Sequence, residues 1–289
     1  MNFSKNLLGK AVFAGCVRNC EHWLPKVLPN IEKYSSCFSK SHFIFIENDS
    51  TDKTKEILKK WYKNKNYSSI NMDGLKNIPR RGLRLEAARN TYLKIIKESN
   101  NLKKYDYLIV MDFDDASIFE IEKKNLLKSI KFLNSDKSVA GVFSNQRGMY
   151  YDMWTLRHKT ICPVDVWEEI LDYTIKNKVS DEIAYECTLK KRKFSLDEKN
   201  SPLEVDSAFG GFGIYKMDYV LKNQKSYVGS KTKKIDKNHT IKWQVCEHVQ
   251  FNLGIKDLGG KLYILPYLIN GENKGGEFRP STFRYFIFK

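Results

Sequence analysis

Apolar residues come in short runs and helical stripes that alternate along the first half of the chain. Ala11 to Cys16 is a compact apolar segment that predicts a strand, and Glu21 to Tyr34 has the pattern of an amphipathic helix. His42 to Ile46 predicts a second strand, Asp52 to Tyr62 a second helix, and Ile70 to Met72 a brief third strand. Leu85, Ala88, Tyr92 and Ile95 recur at helical spacing, so Arg84 to Ser99 should pack on the sheet as a helix. Tyr107 to Met111 reads as a buried strand, Ile121 to Leu133 as a helix and Val139 to Phe143 as a further strand. Alternation of this kind argues for an α/β class with a largely parallel, doubly wound sheet.

Beyond Ser144 the regularity breaks. Asn145 to His158, NQRGMYYDMWTLRH, reads as a loop, and Pro163 to Asn200 as a charged, largely helical insertion within one domain over residues 8–289. Strand signal returns at Ala208 to Tyr215, whose Gly210, Gly211 and Gly213 permit close backbone approach to a ligand or a tight bulge between strands. Val245 to Phe251 places Glu247 and His248 near a helix start, and Leu262 to Ile269 is the last clear strand. The tail from Asn270 to Lys289 mixes Gly, Lys, Arg and Phe without a firm period.

Chemistry concentrates at the strand ends. Asp112, Asp114 and Asp115 crowd three carboxylates into four residues after Met111, where like-charge repulsion is costly unless a cation lies among them. Hard oxygen ligands suit magnesium or manganese, and the carboxyl end of a strand in an open α/β sheet is where such folds bind ligands. A solvated acidic turn is the alternative. Val17 and Arg18 leave the first strand into a turn whose free N–H groups can meet an anion. At the second strand tip, Glu47 or Asp49 can face a ligand while Ser50, Thr51 or Asp52 caps the next helix. Arg84 and Arg89, just before the acidic strand, can pair with its carboxylates or with a diphosphate.

Composition narrows the class. The 289 residues are 42% hydrophobic and 13% aromatic, enough for a large core, and no window reaches the roughly eighteen apolar residues of a membrane span. Six scattered cysteines form no zinc pattern or disulfide framework, so reduced thiols and a soluble, cytoplasmic protein are the expectation. The formal charge of +16 is mostly lysine, and the runs at Lys190 to Lys193 and Lys231 to Lys234 lack interleaved aromatics, which favours solvated surface over nucleic-acid binding.

Taken together, IENDSTDKT at 46–54, RLEAARN at 84–90, DFD at 112–114, YYDMWTLR at 150–157, AFGGFGIYK at 208–216 and CEHVQFN at 246–252 resemble a glycosyltransferase of the GT-A fold. The order and spacing are most similar to the capsule-associated α-mannosyltransferase-like family. The resemblance implies a metal-dependent enzyme moving a hexose from a nucleotide-diphosphate sugar to a glycan or other hydroxyl acceptor, with Mn2+ or Mg2+ as cofactor. It implies Asp114 as metal ligand, Asp112 on the ribose or a metal-bound water, and His248 completing the metal shell. Arg18, Glu47 and Asp49 would lie on the base and phosphate side, Arg84 would support the acidic loop, and Gly210 and Gly211 would let the donor sugar lie against backbone. Glu247 falls where similar enzymes carry a catalytic carboxylate, and the insertion would shape the acceptor side. The competing class is a phosphate- or nucleic-acid-binding protein on the same fold, without transfer chemistry.

Overall fold

The central strands are apolar on both faces because helices cover both faces of the sheet. A computed structural model describes residues 8–234, 237, 240–273 and 287–288. Within it β1 (Leu8–Val17), β2 (Phe38–Glu47), β3 (Tyr67–Asn71) and β4 (Tyr107–Met111) run parallel. The full eight-stranded order is β3-β2-β1-β4-β7-β5-β10-β6, with β5 (Val139–Gly148) parallel to β10 (Lys261–Asn273). Two strands oppose the rest. β7 (Phe212–Lys216) is antiparallel to both β4 and β5, and β6 (Leu203–Val205) is antiparallel to β10.

Strand periodicity of two divides the core into two layers. Val12, Ala14, Leu108 and Val110 face α3 (Arg81–Glu98), meeting Ala88, Tyr92 and Ile96. Ala11, Phe13, Ile109 and Met111 face the other way, toward α1 (Leu24–Ser35), α2 (Thr54–Trp61) and α4 (Lys123–Leu133). The helices α5 (Val166–Asn177), α6 (Asp181–Cys187) and α7 (Leu189–Arg192) occupy the predicted insertion. Their Ile170, Ala184 and Leu189 join the same cluster as Phe251 and Ile255 of α9 (Glu247–Asp257), so the segment shares a core with the sheet.

Several boundaries differ from expectation for identifiable reasons. β5 continues through Asn145 to Gly148, because Ser144, Asn145 and Gln146 are buried and bonded although polar. β7 begins only at Phe212: Gly210 and Gly211 adopt φ of +67° and +84°, a turn rather than a strand. The α2 N-cap is Lys53, which makes no side-chain cap. Asp52 instead accepts the amides of Thr54 and Glu21, each at 3.0 Å. The lysine run 231–234 lies in β8 (Ser230–Lys234), which pairs with β9 (Thr240–Gln244), and that in turn with β11 (Ile287–Phe288). A short helix α8 (Met217–Lys222) follows β7. The expectation for the tail after Asn273 falls outside the described residues except at β11.

All six cysteines are free, and among the described residues no helix is long and apolar enough to cross a membrane. Register brings the functional ends together: Val17 lies opposite Glu47 and Ala14 opposite Val110, so the ends of β1, β2 and β4 open on one edge.

Candidate active site

Phe113 anchors the acidic loop. It is 2% exposed and packs edge-on against Phe45 with centroids 4.5 Å apart, filling space that the absent side chain of Gly15 leaves open. Burial of such a ring contributes about 1.5–3 kcal/mol and pins the chain between its two flanking aspartates. Asp114 then caps a short turn at Asp115–Ser117, its Oδ1 accepting the Ala116 amide at 3.1 Å. Burial, then the neighbouring Asp114, push the Asp112 carboxyl up to about 7 despite the Arg89 charge. Burial raises Asp114 as well. Asp115 is exposed, so the carboxylates gathered at the edge are Asp112 and Asp114.

Arg89 joins that loop to α9. Its Nε donates to Glu247 Oε1 at 2.8 Å and its Nη2 to Asp112 Oδ1 at 3.2 Å. The side chains of Arg89 and Glu247 are 3% and 4% exposed, that of Asp112 22%. The guanidinium also lies 5.3 Å from the Phe209 ring and 5.8 Å from that of Tyr227. Arg84, expected to support the acidic loop, does not reach it in this way: its Nη1 donates to the Ile78 carbonyl at 2.6 Å. Burial and then the charges of Arg18 and Arg81 lower the Arg84 pKa, which places three arginines near one another at this edge. Arg81 also acts on Asp112 and Asp114, a role that nothing in the spacing of the chain had singled out.

The glycine turn braces the back of the loop. The Gly210 carbonyl accepts from Ser144 Oγ at 2.8 Å, Gln146 Nε2 at 3.0 Å and Asn270 Nδ2 at 2.7 Å. Its amide donates to Asp152 Oδ2 at 3.0 Å, and the Gly211 carbonyl accepts the Asp112 amide at 3.0 Å. A Cβ on Gly210 would come within 2.7 Å of the Ser144 carbonyl oxygen. Both glycines are therefore brought to the DFD loop as backbone supports.

At the β2 tip, Asp49 has φ of +50° and both its oxygens are occupied, accepting the amides of Gly74 and Lys76 at 2.7 Å each. These amides, Gly74 first, hold its carboxyl below the usual range. Asp49 thus shapes the loop after β3. Glu47 is buried, accepts the Ser50 amide at 2.8 Å and lies 3.4 Å from Lys55 Nζ, with Oε2 lacking a hydrogen bond. Arg18 likewise keeps an unpartnered buried Nε at this edge.

His248 is packed among aromatic rings beside Glu247. It is 2% exposed, stacks on Phe209 with centroids 4.0 Å apart, and meets Tyr227 edge-on at 5.3 Å. Neither ring nitrogen has a hydrogen-bond partner, and Nε2 lies 3.8 Å from Glu247 Oε1. Burial, then Arg89 and Arg81, drive its pKa well below the ordinary value. Among the described residues no three His, Cys, Asp or Glu side chains form a ready-made metal cage.

A mixed sheet of this order, with paired carboxylates at the carboxyl edge of its parallel strands, defines the GT-A architecture. The model of Glycosyl transferase family 2 matches residues 16–196, and the chain belongs to that family. Among solved structures, mannosyltransferase PcManGT from Pyrobaculum calidifontis, in complex with GDP-Man and Mn2+, superposes with a TM-score of 0.53 at 12% identity. The match covers 94% of this chain and 59% of that one, so the chain spans about three-fifths of its length. S. aureus TarS 1-349 gives 0.48 at 12% identity, over 92% and 60%. Glucosyl-3-phosphoglycerate synthase from Mycobacterium tuberculosis, in complex with Mn2+, UDP and phosphoglyceric acid, gives 0.46 at 10%, over 95% and 73%. No curated protein matches this chain.

Proposed function

We propose that the chain is a metal-dependent glycosyltransferase that moves a hexose from a nucleoside-diphosphate sugar to a hydroxyl acceptor. The observation that carries this reading is Arg89, buried and bonded to both Asp112 and Glu247. One guanidinium fixes the carboxylate of the acidic loop relative to the carboxylate on α9. Preorganisation of this kind is what transfer chemistry requires and what a simple anion-binding surface does not.

The donor set fits a divalent cation that arrives with its substrate. Asp112 and Asp114 repel each other, and Mg2+ or Mn2+ is commonly held by one or two carboxylates together with substrate phosphates instead of a protein cage. Asp114 and Asp112 would hold it, and there it would neutralise charge developing on the departing diphosphate. Arg81 and Arg18 lie on the same edge and would meet the diphosphate oxygens. Glu47 and the loop organised by Asp49 would bound the nucleoside. Glu247 has Oε1 engaged by Arg89, while no described residue donates to Oε2, which is left to accept the acceptor hydroxyl proton. The oxygen of that hydroxyl would bond to the anomeric carbon as the bond to the diphosphate breaks, and the diphosphate would carry away the electron pair. General-base action of this kind corresponds to inversion, whereas the α-mannosyltransferase-like resemblance implies retention, and the configuration of the product distinguishes the two.

The motif resemblance to the capsule-associated α-mannosyltransferase-like family makes a mannosyl donor the first to try, and GDP-Man is also the ligand of the Pyrobaculum enzyme. Calorimetric titration with GDP-mannose, UDP-glucose and UDP-N-acetylglucosamine, each with and without Mn2+, tests the reading. One donor should bind only with metal, and Asp114→Ala should abolish that binding without unfolding the protein. Undiminished Mn2+-dependent binding by the variant would overturn the metal assignment, and absence of binding by every donor would overturn the transferase reading.

A further inference from the structure

A cavity of about 580 Å³ opens between the insertion and the start of α9. That size lies within the range of roughly 300–1,000 Å³ typical of small-molecule sites. Cys246, the residue immediately before Glu247 in the chain, forms part of its wall. Its apolar surface comes from Val164, Val228, Val245 and Val249.

The opposite wall is made of fixed charges already paired with one another. Arg157 Nη2 donates to Asp165 at 2.7 Å, and Arg192 Nε to Glu169 at 2.7 Å. Glu168 is held by Lys231 and by Lys233, whose Nζ lies 2.7 Å from Glu168 and 3.0 Å from Asp172. Four carboxylates are thus balanced by four cations, Arg157, Arg192 and Lys231 lining the space and Lys233 beside them, in a chain whose overall charge is +16. The Gln250 amide also lines the space and takes no partner among the described residues.

We propose that this cavity is a subsite for a neutral, hydroxyl-rich sugar unit of the acceptor. The proposal rests on the transferase reading and specifies its acceptor class. Paired carboxylates keep free lone pairs and paired guanidiniums keep free N–H groups, an alternating set that matches vicinal hydroxyls. Because each charge is held by its partner before a ligand enters, little side-chain freedom is lost on binding. The valine surface receives the C–H face of a sugar ring. With every charge of the wall already matched by a partner, a phosphorylated or carboxylated acceptor finds no unpaired cation to offset its own desolvation, against what the basic surface of the whole chain implies.

Calorimetry and saturation-transfer NMR with neutral glucose, mannose and galactose oligosaccharides, in the presence of Mn2+ and a nucleoside diphosphate, test the subsite. At least one neutral oligosaccharide should bind. Val249→Trp, which fills the cavity, should weaken that binding at least tenfold, and Gln250→Ala about threefold or more. Both variants should keep the wild-type melting temperature and Mn2+-dependent nucleotide binding. Should Val249→Trp misfold, Gln250→Ala on the partly exposed face of α9 still decides the matter. Unchanged affinity in the folded variants, no neutral oligosaccharide bound by the wild type, or preferential binding of sialylated, phosphorylated or amino-sugar oligosaccharides would overturn the proposal. Donor binding is scored separately: its loss in the wild type sinks the transferase reading, whereas its retention with an inert cavity sinks only the subsite.

Discussion

Arg89 Nε donates to Glu247 Oε1 at 2.8 Å across 158 residues of sequence, and the same guanidinium reaches Asp112. Removing one member of a buried ion pair leaves its partner charged in a low-dielectric setting. Such losses run at about 3–5 kcal/mol. Arg89→Ala should therefore lower unfolding free energy by an amount of that order in urea titrations, and Arg89→Ala combined with Glu247→Gln should recover part of it. A double variant as unstable as the two single losses added together would show that the pair is not the source.

Glu247→Gln keeps shape and loses charge. If Oε2 takes the acceptor proton, turnover should fall by roughly a hundredfold or more while Mn2+ and donor affinity stay close to wild type. Steady-state transfer assays paired with donor titrations measure both. Near-normal turnover would move the base elsewhere, with Asp206 and the half-buried Asp152, which accepts from Gly210 and Thr155, the next residues to examine.

His248 supplies a pH prediction. Its folded pKa lies well below the ordinary value of 6.5, so as pH falls below about 6.5 the unfolded chain takes up a proton that the folded ring refuses. This contribution to stability is complete above that pH and is lost on acidification. Arg89, Arg81, Glu247 and Tyr227 surround the ring, and Asp112, with its raised pKa, contributes in the opposite sense over the same range. The difference between proteins isolates the histidine. Melting temperature should drop less between pH 7 and 5 in His248→Phe than in wild type, and the Mn2+ requirement of transfer should not move. A raised Mn2+ requirement would restore the histidine to the metal shell.

Glycine substitutions separate strain from crowding. Gly74 and Gly210 both have positive φ, at +97° and +67°, but a Cβ on Gly74 meets nothing within 4 Å whereas one on Gly210 meets backbone. Strain of this kind costs on the order of 1–3 kcal/mol. Gly210→Ala should exceed Gly74→Ala in lost stability and should also weaken Mn2+-dependent donor binding, because the turn braces the Asp112 loop. Equal losses with donor binding intact would deny the glycine turn that supporting role.

Much of the sheet was legible because burial imposes simple periods. Tyr107–Met111 matches the apolar run residue for residue, and α4 ends at Leu133 as its stripe does. The choice of arginine was also within reach of periodicity. Arg89 lies four residues after Leu85 and three before Tyr92, on the stripe that packs inward, whereas Arg84 does not, and charge had outweighed phase. β8 stayed hidden because its exposed lysines carry no apolar signal: Lys231 and Lys233 find Glu168 and Asp172 only when α5 packs beside them.

The sequence by itself determined the alternating α/β order, the parallel edge at which Asp112 and Asp114 emerge, and the motif set that marks a GT-A enzyme. Each of these follows from local periods and from residues close together in the chain. Tertiary structure alone decided the partners. Glu247 meets Arg89, His248 stacks on Phe209, and Asp49 is taken up by the amides of Gly74 and Lys76. A side chain buried near the end of an element chooses among neighbours brought together by packing, and the desolvation cost of leaving a charge unpaired makes that choice energetically decisive.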